Sequence, residues 1–241
     1  MSSEADPTGK VVRHERALAV VCLVALAGLC WWYLAARAGM SMDAMPEPPL
    51  GALVVMWWLM MVAMMLPSAV PAILLYARVR VMRGGDSAIA QTWVFLAGYL
   101  AVWLLFSVVA AAAQYALTGA SMAIESRVAE GVVLIAAGLY QLSPLKSACL
   151  GQCRSPAQFV SRHWRPGTGG ALRLGALHGA YCVGCCWMLM ALLFVGGVMN
   201  LLWVAALATI VAAEKLLPRG EWLARAAGVA LVGWGLVRLV A

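Results

Sequence analysis

The hydrophobic positions of this chain fall in long stretches that carry almost no charge, and short polar segments separate them. A helix needs about 20 apolar residues to cross the hydrocarbon core of a bilayer. Seven windows approach or exceed that length, at 17–36, 50–76, 91–117, 128–145, 174–199, 201–213 and 222–241. The sixth is the shortest. The pattern predicts an all-α integral membrane protein, a bundle of about seven transmembrane helices.

Composition agrees with this pattern. Hydrophobic residues make up 64% of the 241 positions and charged residues 11%, whereas a soluble domain has about 25% charged residues. Residues 1–16 form a polar tail, and no later region is polar and long enough for a separate soluble domain. We therefore expect one membrane domain over 17–241, with a cytoplasmic loop at 146–173.

The net charge of +7 is a topology signal. If the N-terminus is cytoplasmic, 14 of the 17 Lys and Arg residues fall in segments on the cytoplasmic side. Positive residues concentrate on the inner side of membrane proteins. The chain is thus expected to have a cytoplasmic N-terminus and a periplasmic C-terminus. The lipid bilayer is then an expected partner, and a nucleic-acid role is excluded.

The fifth apolar window contains a group of soft metal ligands. At about 100° per residue along a helix, one face carries His178, Cys182, Cys185 and Cys186. A single cysteine often packs like a small apolar residue. Three cysteines and a histidine on one stripe instead favour metal or redox chemistry.

The second window contains a ladder of methionines. One face carries Met56, Met60 and Met64, and Met61 and Met65 lie beside it. At a rise of 1.5 Å per residue, this ladder and the cysteines of the fifth window both reach about 15 Å into the membrane. We predict that the two spans meet there in one mixed site. Thioether and thiolate together select Cu(I), although a methionine stripe also serves as flexible packing.

Two further groups flank the membrane. The predicted outer loop contains Met40, Met42 and Met45, which suit weak Cu(I) capture or interfacial anchoring. The predicted inner loop contains Cys149 and Cys153, one helical turn apart, which form a second candidate ligand pair. Copper as Cu(I) is the expected cargo, and another metal is the alternative.

Several polar residues and prolines interrupt the apolar windows. Pro67 and Pro71 each remove a backbone hydrogen bond and predict a bend where the methionine ladder ends. The adjacent Glu214 and Lys215 are interpreted as a solvated boundary at the inner end of the sixth span. Gln114 and Glu130 are candidates for polar contacts between helices.

Four blocks of sequence carry a family resemblance: MWWLMMVAMMLPSAVP at 56–71, YQLSPLKSACLGQCRSP at 140–156, GALHGAYCVGCCWMLM at 175–190 and AEK at 213–215. They resemble a bacterial family of uncharacterised integral membrane proteins predicted to bind metal. The resemblance implies a multi-pass protein of the bacterial inner membrane, but it implies no reaction. The matching positions are Met60, Met61, Met64, Met65, Pro67, Cys149, Cys153, Cys182, Cys185, Cys186, Glu214 and Lys215.

Three functions are compatible with these residues. The first is a copper-handling protein that captures, transfers or transports Cu(I), with a copper chaperone or a copper enzyme under assembly as its partner. The second is a membrane thiol-disulfide oxidoreductase, which uses the cysteines but leaves the methionines without a role. The third is a structural or assembly subunit of a membrane enzyme complex. Since hydrolase and nucleotide-binding motifs are absent, we expect metal binding or transport rather than catalysis.

Overall fold

A computed structural model describes residues 7–38, 49–83, 88–118, 124 and 126–240, and every regular element in those ranges is a helix. The all-α class is therefore confirmed. The helices are α1 (Pro7–Ala38), α2 (Leu50–Met82), α3 (Ala88–Thr118), α4 (Arg127–Gln141), α5 (Pro144–Arg154), α6 (Pro156–His163), α7 (Gly167–Ala191), α8 (Leu193–Gly196), α9 (Leu201–Leu216) and α10 (Gly220–Val240).

Four helical stretches in the described residues are long and apolar enough to cross a membrane. They are Leu50–Met82, Ala88–Ala116, Gly167–Gly196 and Gly220–Val240. A fifth span results if the bent pair α4 and α5 is counted as one. The apolar part of α1, Val20–Ala36, and helix α9 are shorter. These lengths are consistent with a multi-pass membrane protein, while the seven-span count and the orientation of the termini stay predictions.

The fourth apolar window differs from its predicted form. Instead of one helix over 128–145, α4 ends at Gln141 and α5 begins at Pro144, with an angle of 61° between them. The Ser143 side chain accepts a hydrogen bond from the Lys146 backbone N–H at 3.2 Å. Serine is a favoured N-cap and proline a favoured first helical residue. The Ser-Pro pair therefore starts a new helix, which packs along α7.

Helices α3 and α7 approach each other closely through glycine. A Cβ atom added at Gly175 would lie 1.9 Å from the backbone oxygen of Phe95, and one added at Gly98 would lie 2.3 Å from that of Leu172. Small residues at helix crossings allow such backbone contact in membranes. The close crossing brings Tyr99 of α3 against the cysteine face of α7.

We predict that Gly175→Ala destabilises the protein by at least about 1–3 kcal/mol, because the new methyl group meets backbone that cannot move aside. Unfolding of the purified protein in mixed micelles measures the loss. Gly151→Ala is the matched control, since its Cβ would meet nothing within 4 Å. Equal stability of the two variants would show that the α3–α7 crossing tolerates separation.

Helix α2 continues through both of its prolines. Pro67 has no N–H, so it leaves the carbonyl of Ala63, four residues earlier, without its helical partner. The indole nitrogen of Trp31 on α1 donates to this oxygen at 3.2 Å. An unpaired carbonyl is costly at membrane depth, and α1 thus covers the place where the ladder of methionines meets the prolines.

Candidate metal site

Side chains of the methionine ladder and of the cysteine face meet in the space between α2 and α7, at Met65 and Cys186. The Cys186 sulfur lies 3.8 Å from the Met65 sulfur, while its thiol donates to the Cys182 carbonyl at 3.0 Å. The thiols of Cys182 and Cys186, one turn apart on α7, lie close enough to interact, and all three side chains are buried. The structure thus brings together one thioether and two thiols from the two helices that the sequence predicts to meet.

We call Met65, Cys182 and Cys186 the sulfur group. Lys215 of α9 lies within it. Its ammonium nitrogen is 2.9 Å from the Cys182 sulfur, 3.3 Å from the Ser68 oxygen and 3.9 Å from the Met65 sulfur. The interpretation of Glu214 and Lys215 as a solvated boundary is wrong, because their exposed fractions are 1% and 6%. A charge pair next to an apolar span looks like a boundary in sequence, and only the packing of α9 against α2 shows otherwise.

Tyr99 of α3 is another neighbour of the sulfur group. The sequence pattern did not single it out. Its hydroxyl donates to the Met65 carbonyl at 3.3 Å and lies 3.2 Å from the Cys182 sulfur. It is fully buried. Since the hydroxyl contacts both α2 and α7, it fixes the spacing between Met65 and Cys182.

The cysteines of α5 adjoin those of α7. The Cys153 thiol lies close enough to that of Cys185 to interact with it, and the Cys149 sulfur lies 2.9 Å from the position of a Cβ at Gly184. The Tyr140 hydroxyl donates to the Gly184 carbonyl and holds the same turn of α7. The pair predicted for the inner loop therefore continues the α7 group, and we call Met65, Cys182, Cys186, Cys185, Cys153 and Cys149 the sulfur chain.

The remaining predicted ligands have different surroundings. His178 is buried with its ring centroid 5.3 Å from that of Phe159 and 5.8 Å from that of Tyr99, and its Nδ1 atom has no hydrogen-bond partner. On α2 the ladder is largely buried: this applies to Met60, Met61 and Met64, whereas Met56 is half-buried. The outer-loop group of Met40, Met42 and Met45 lies outside the described residues.

A buried polar network behind the sulfur chain holds α5 against α9. The Glu214 carboxylate accepts from Lys146 Nζ at 2.6 Å and from the Gln141 amide at 2.8 Å. The Arg154 guanidinium donates to the Glu214 backbone oxygen at 3.3 Å. Because Lys146 and Arg154 flank the two cysteines of α5, this network positions those thiols beside α7.

The two other polar residues singled out in the sequence do join helices. The Trp57 indole of α2 donates to the Gln114 side chain of α3 at 2.7 Å. The Glu130 carboxylate of α4 pairs with Arg238 of α10 at 2.9 Å. Both contacts stabilise the bundle away from the sulfur chain.

The donor set is suited to a soft metal. In the described part of the chain, no group of three His, Cys, Asp or Glu side chains is arranged to hold a metal ion. The sulfur donors that do lie together are thioether and thiol, and thioether is a poor ligand for harder ions. With metal–sulfur distances of about 2.3 Å, as in zinc thiolates, three sulfurs in a plane lie about 4 Å apart. The 3.8 Å between Met65 and Cys186 fits this spacing.

Comparison with known families decides the class of protein. A family model described as "PpoB2: Copper chaperone" matches residues 54–238, which is more than half of the chain. The chain belongs to this copper chaperone family. The matched region contains every described member of the sulfur chain, Lys215 and His178. No curated protein and no solved structure matches. The copper-related function that donor softness predicted is thus confirmed at the level of the family.

Proposed function

We propose that this chain binds Cu(I) inside the membrane, between Met65 on α2 and the Cys182 and Cys186 thiols on α7, and hands it to a copper protein. The observation that carries the proposal is the contact between Met65 and Cys186 at 3.8 Å, in a chain of the copper chaperone family. Thioether and thiolate in one buried group are a donor set for Cu(I).

The sulfur chain supplies a route for transfer. From Met65 and the pair Cys182 and Cys186, the next thiol on α7 is Cys185, which lies close to Cys153 of α5. Each new ligand is then in reach before the previous one is released, so the metal is never without sulfur. The methionine ladder of α2 leads to one end of this route, and Cys149 lies at the other.

The remaining donors extend the route at its ends. His178 brings an unpartnered buried nitrogen one turn before Cys182, and we assign it a supporting ligand role. In the proposed orientation, with the protein in the bacterial inner membrane and its N-terminus cytoplasmic, the methionines at 40, 42 and 45 capture Cu(I) outside. A copper enzyme under assembly, or another chaperone, receives the metal.

Anaerobic metal loading tests the proposal. The full-length protein in detergent is incubated with Cu(I) or with Zn²⁺, desalted and analysed for metal content. We expect one to three tightly held Cu(I) per chain, retained in preference to Zn²⁺, because the chain offers several groups of soft donors that include thioether sulfur. A Cys22→Ser, Cys30→Ser variant is the control, since both cysteines lie on α1 and their loss leaves loading unchanged. Retention of Zn²⁺ in preference to Cu(I) contradicts the proposal.

The proximity of the Cys153 and Cys185 thiols supports a second candidate function, thiol-disulfide exchange. Two thiols in contact can form a disulfide by losing two electrons and two protons, so a two-electron acceptor in the membrane is required. All seven cysteines are free in the structure. Mass spectrometry after isolation under alkylating conditions distinguishes the candidates: a Cys153–Cys185 disulfide in protein that binds no Cu(I) favours the oxidoreductase.

A further inference from the structure

The ammonium group of Lys215 lies inside the sulfur group without a carboxylate partner. Among the described residues, the two ion pairs are Lys146 with Glu214 and Arg238 with Glu130. The nearby Glu214 carboxylate is therefore paired with Lys146 and not with Lys215. The contacts of the Lys215 nitrogen are instead the sulfurs of Cys182 and Met65 and the hydroxyl of Ser68. A charge at membrane depth needs compensation, and the compensation here must come from sulfur.

Charge counting shows what the ammonium does to a bound metal. Cysteine ligands lose their protons when they bind a metal, so Cys182 and Cys186 together carry two negative charges. One of these is balanced by Lys215. The remaining negative charge is balanced by one monovalent cation, and the buried group is then neutral. With Cys182 and Cys186 as its only thiolate ligands, a divalent cation would leave one uncompensated positive charge beside the ammonium, which a low-dielectric interior strongly disfavours.

We propose that Lys215 is a specificity-determining residue, which restricts the sulfur group to a single monovalent soft metal ion. This inference rests on the proposed Cu(I) site and adds a discrimination that sulfur ligands alone do not provide, because thiolates bind soft divalent ions as well. The Lys215 side chain acts through charge and through its contact with Cys182, and it donates no electron pair to the metal.

The experiment compares two ions that have the same number of electrons and differ in charge, Ag(I) and Cd²⁺. Affinities of the full-length protein in detergent are measured by competition for the wild type and for Lys215→Leu. We expect the wild type to prefer Ag(I), and Lys215→Leu to shift the ratio toward Cd²⁺ by at least about tenfold, since one unit charge has been removed close to the metal. Ser68→Ala, which removes a neutral contact of the same ammonium, is expected to keep the wild-type ratio.

A second pair of variants separates charge from packing. Cys186→Ser removes one thiolate. The Lys215 ammonium then balances the one remaining thiolate, Cys182, so no negative charge is left to attract the metal and Ag(I) binding is weakened. Adding Lys215→Gln to Cys186→Ser restores part of that binding, because the charge count of the site is again balanced by one monovalent ion. A purely structural role for Lys215 would make the double variant weaker than Cys186→Ser alone.

The outcomes are distinguishable. An unchanged Ag(I) to Cd²⁺ ratio in folded Lys215→Leu, or no recovery in the double variant, overturns the inference while the copper site stands. If Lys215→Leu does not fold, Lys215→Gln replaces it in the ratio measurement, and the double variant gives the independent result. If the wild type binds neither Ag(I) nor Cu(I), the proposed function itself fails.

Discussion

Replacing Glu214 with Gln is expected to lower the free energy of unfolding by about 3–5 kcal/mol, because it leaves the Lys146 ammonium buried without its counter-ion. Both side chains are 1% exposed and their charged atoms lie 2.6 Å apart. Denaturation in mixed micelles, followed by circular dichroism, measures the change. The Cys149 and Cys153 thiols of α5 should also become more accessible to alkylation, since the network that holds α5 against α9 is broken.

Two controls make this expectation specific to a buried pair. Replacing both partners with apolar residues, Lys146→Met with Glu214→Leu, should cost less than Glu214→Gln, because no unpaired charge remains. Arg238→Ala removes a partly exposed pair with Glu130 and should cost no more than about 1 kcal/mol. If Glu214→Gln is as mild as Arg238→Ala, water reaches the network and the Lys146–Glu214 pair is not excluded from solvent.

Replacing Cys182 and Cys186 together with Ser is expected to lower Cu(I) affinity by at least about 100-fold. Loss of an outer partner of a metal ligand already costs about 10–100-fold, and this variant removes two ligands themselves. Competition with a chromogenic Cu(I) chelator under anaerobic conditions measures the loss. A buried hydroxyl carries its own penalty, so the unfolding of the variant must be compared with the wild type first.

The matched control for that experiment is the Cys22→Ser, Cys30→Ser pair on α1. It changes the same number of thiols to hydroxyls in a helix that contributes nothing to the sulfur chain. Equal losses in the two variants would mean that cysteine content, and not the site between α2 and α7, determines copper binding.

Much of the fold could be predicted from hydrophobic length alone. The second, third and seventh windows each correspond to one long helix, because a continuous apolar run of this length has few other ways to satisfy its backbone. The α4–α5 corner was missed, since the apolar run that begins at 128 continues across Ser143 and Pro144 only as far as Leu145, a pattern that predicts one span with a loop after it. The signal was present as a Ser-Pro N-cap, which outweighed the apolar pattern.

The candidate site was predictable in part. The soft sulfur donors of Met and Cys, together with their helical spacing, identified the ligands on α2 and α7, because both properties can be read from a short stretch of sequence. The positions of Tyr99 and Lys215 depend on how α3 and α9 pack against α7. The spacing of residues along one helix does not predict how separate helices pack. Cys149 and Cys153 were identified as a pair, but their approach to Cys185 follows from the corner at Ser143 and from the absence of a side chain at Gly184.

The central claim is that Cu(I) is held by Met65 together with Cys182 and Cys186, and copper K-edge X-ray absorption of the Cu(I)-loaded protein tests it most directly. The account predicts a shell of sulfur at about 2.3 Å, the distance typical of metal–thiolate bonds. It also predicts fewer sulfur neighbours in Met65→Leu and an unchanged shell in Met60→Leu, whose side chain lies more than one turn away on the same helix. A first shell of nitrogen or oxygen, or a sulfur shell that Met65→Leu and Cys186→Ser both leave unchanged, would contradict it.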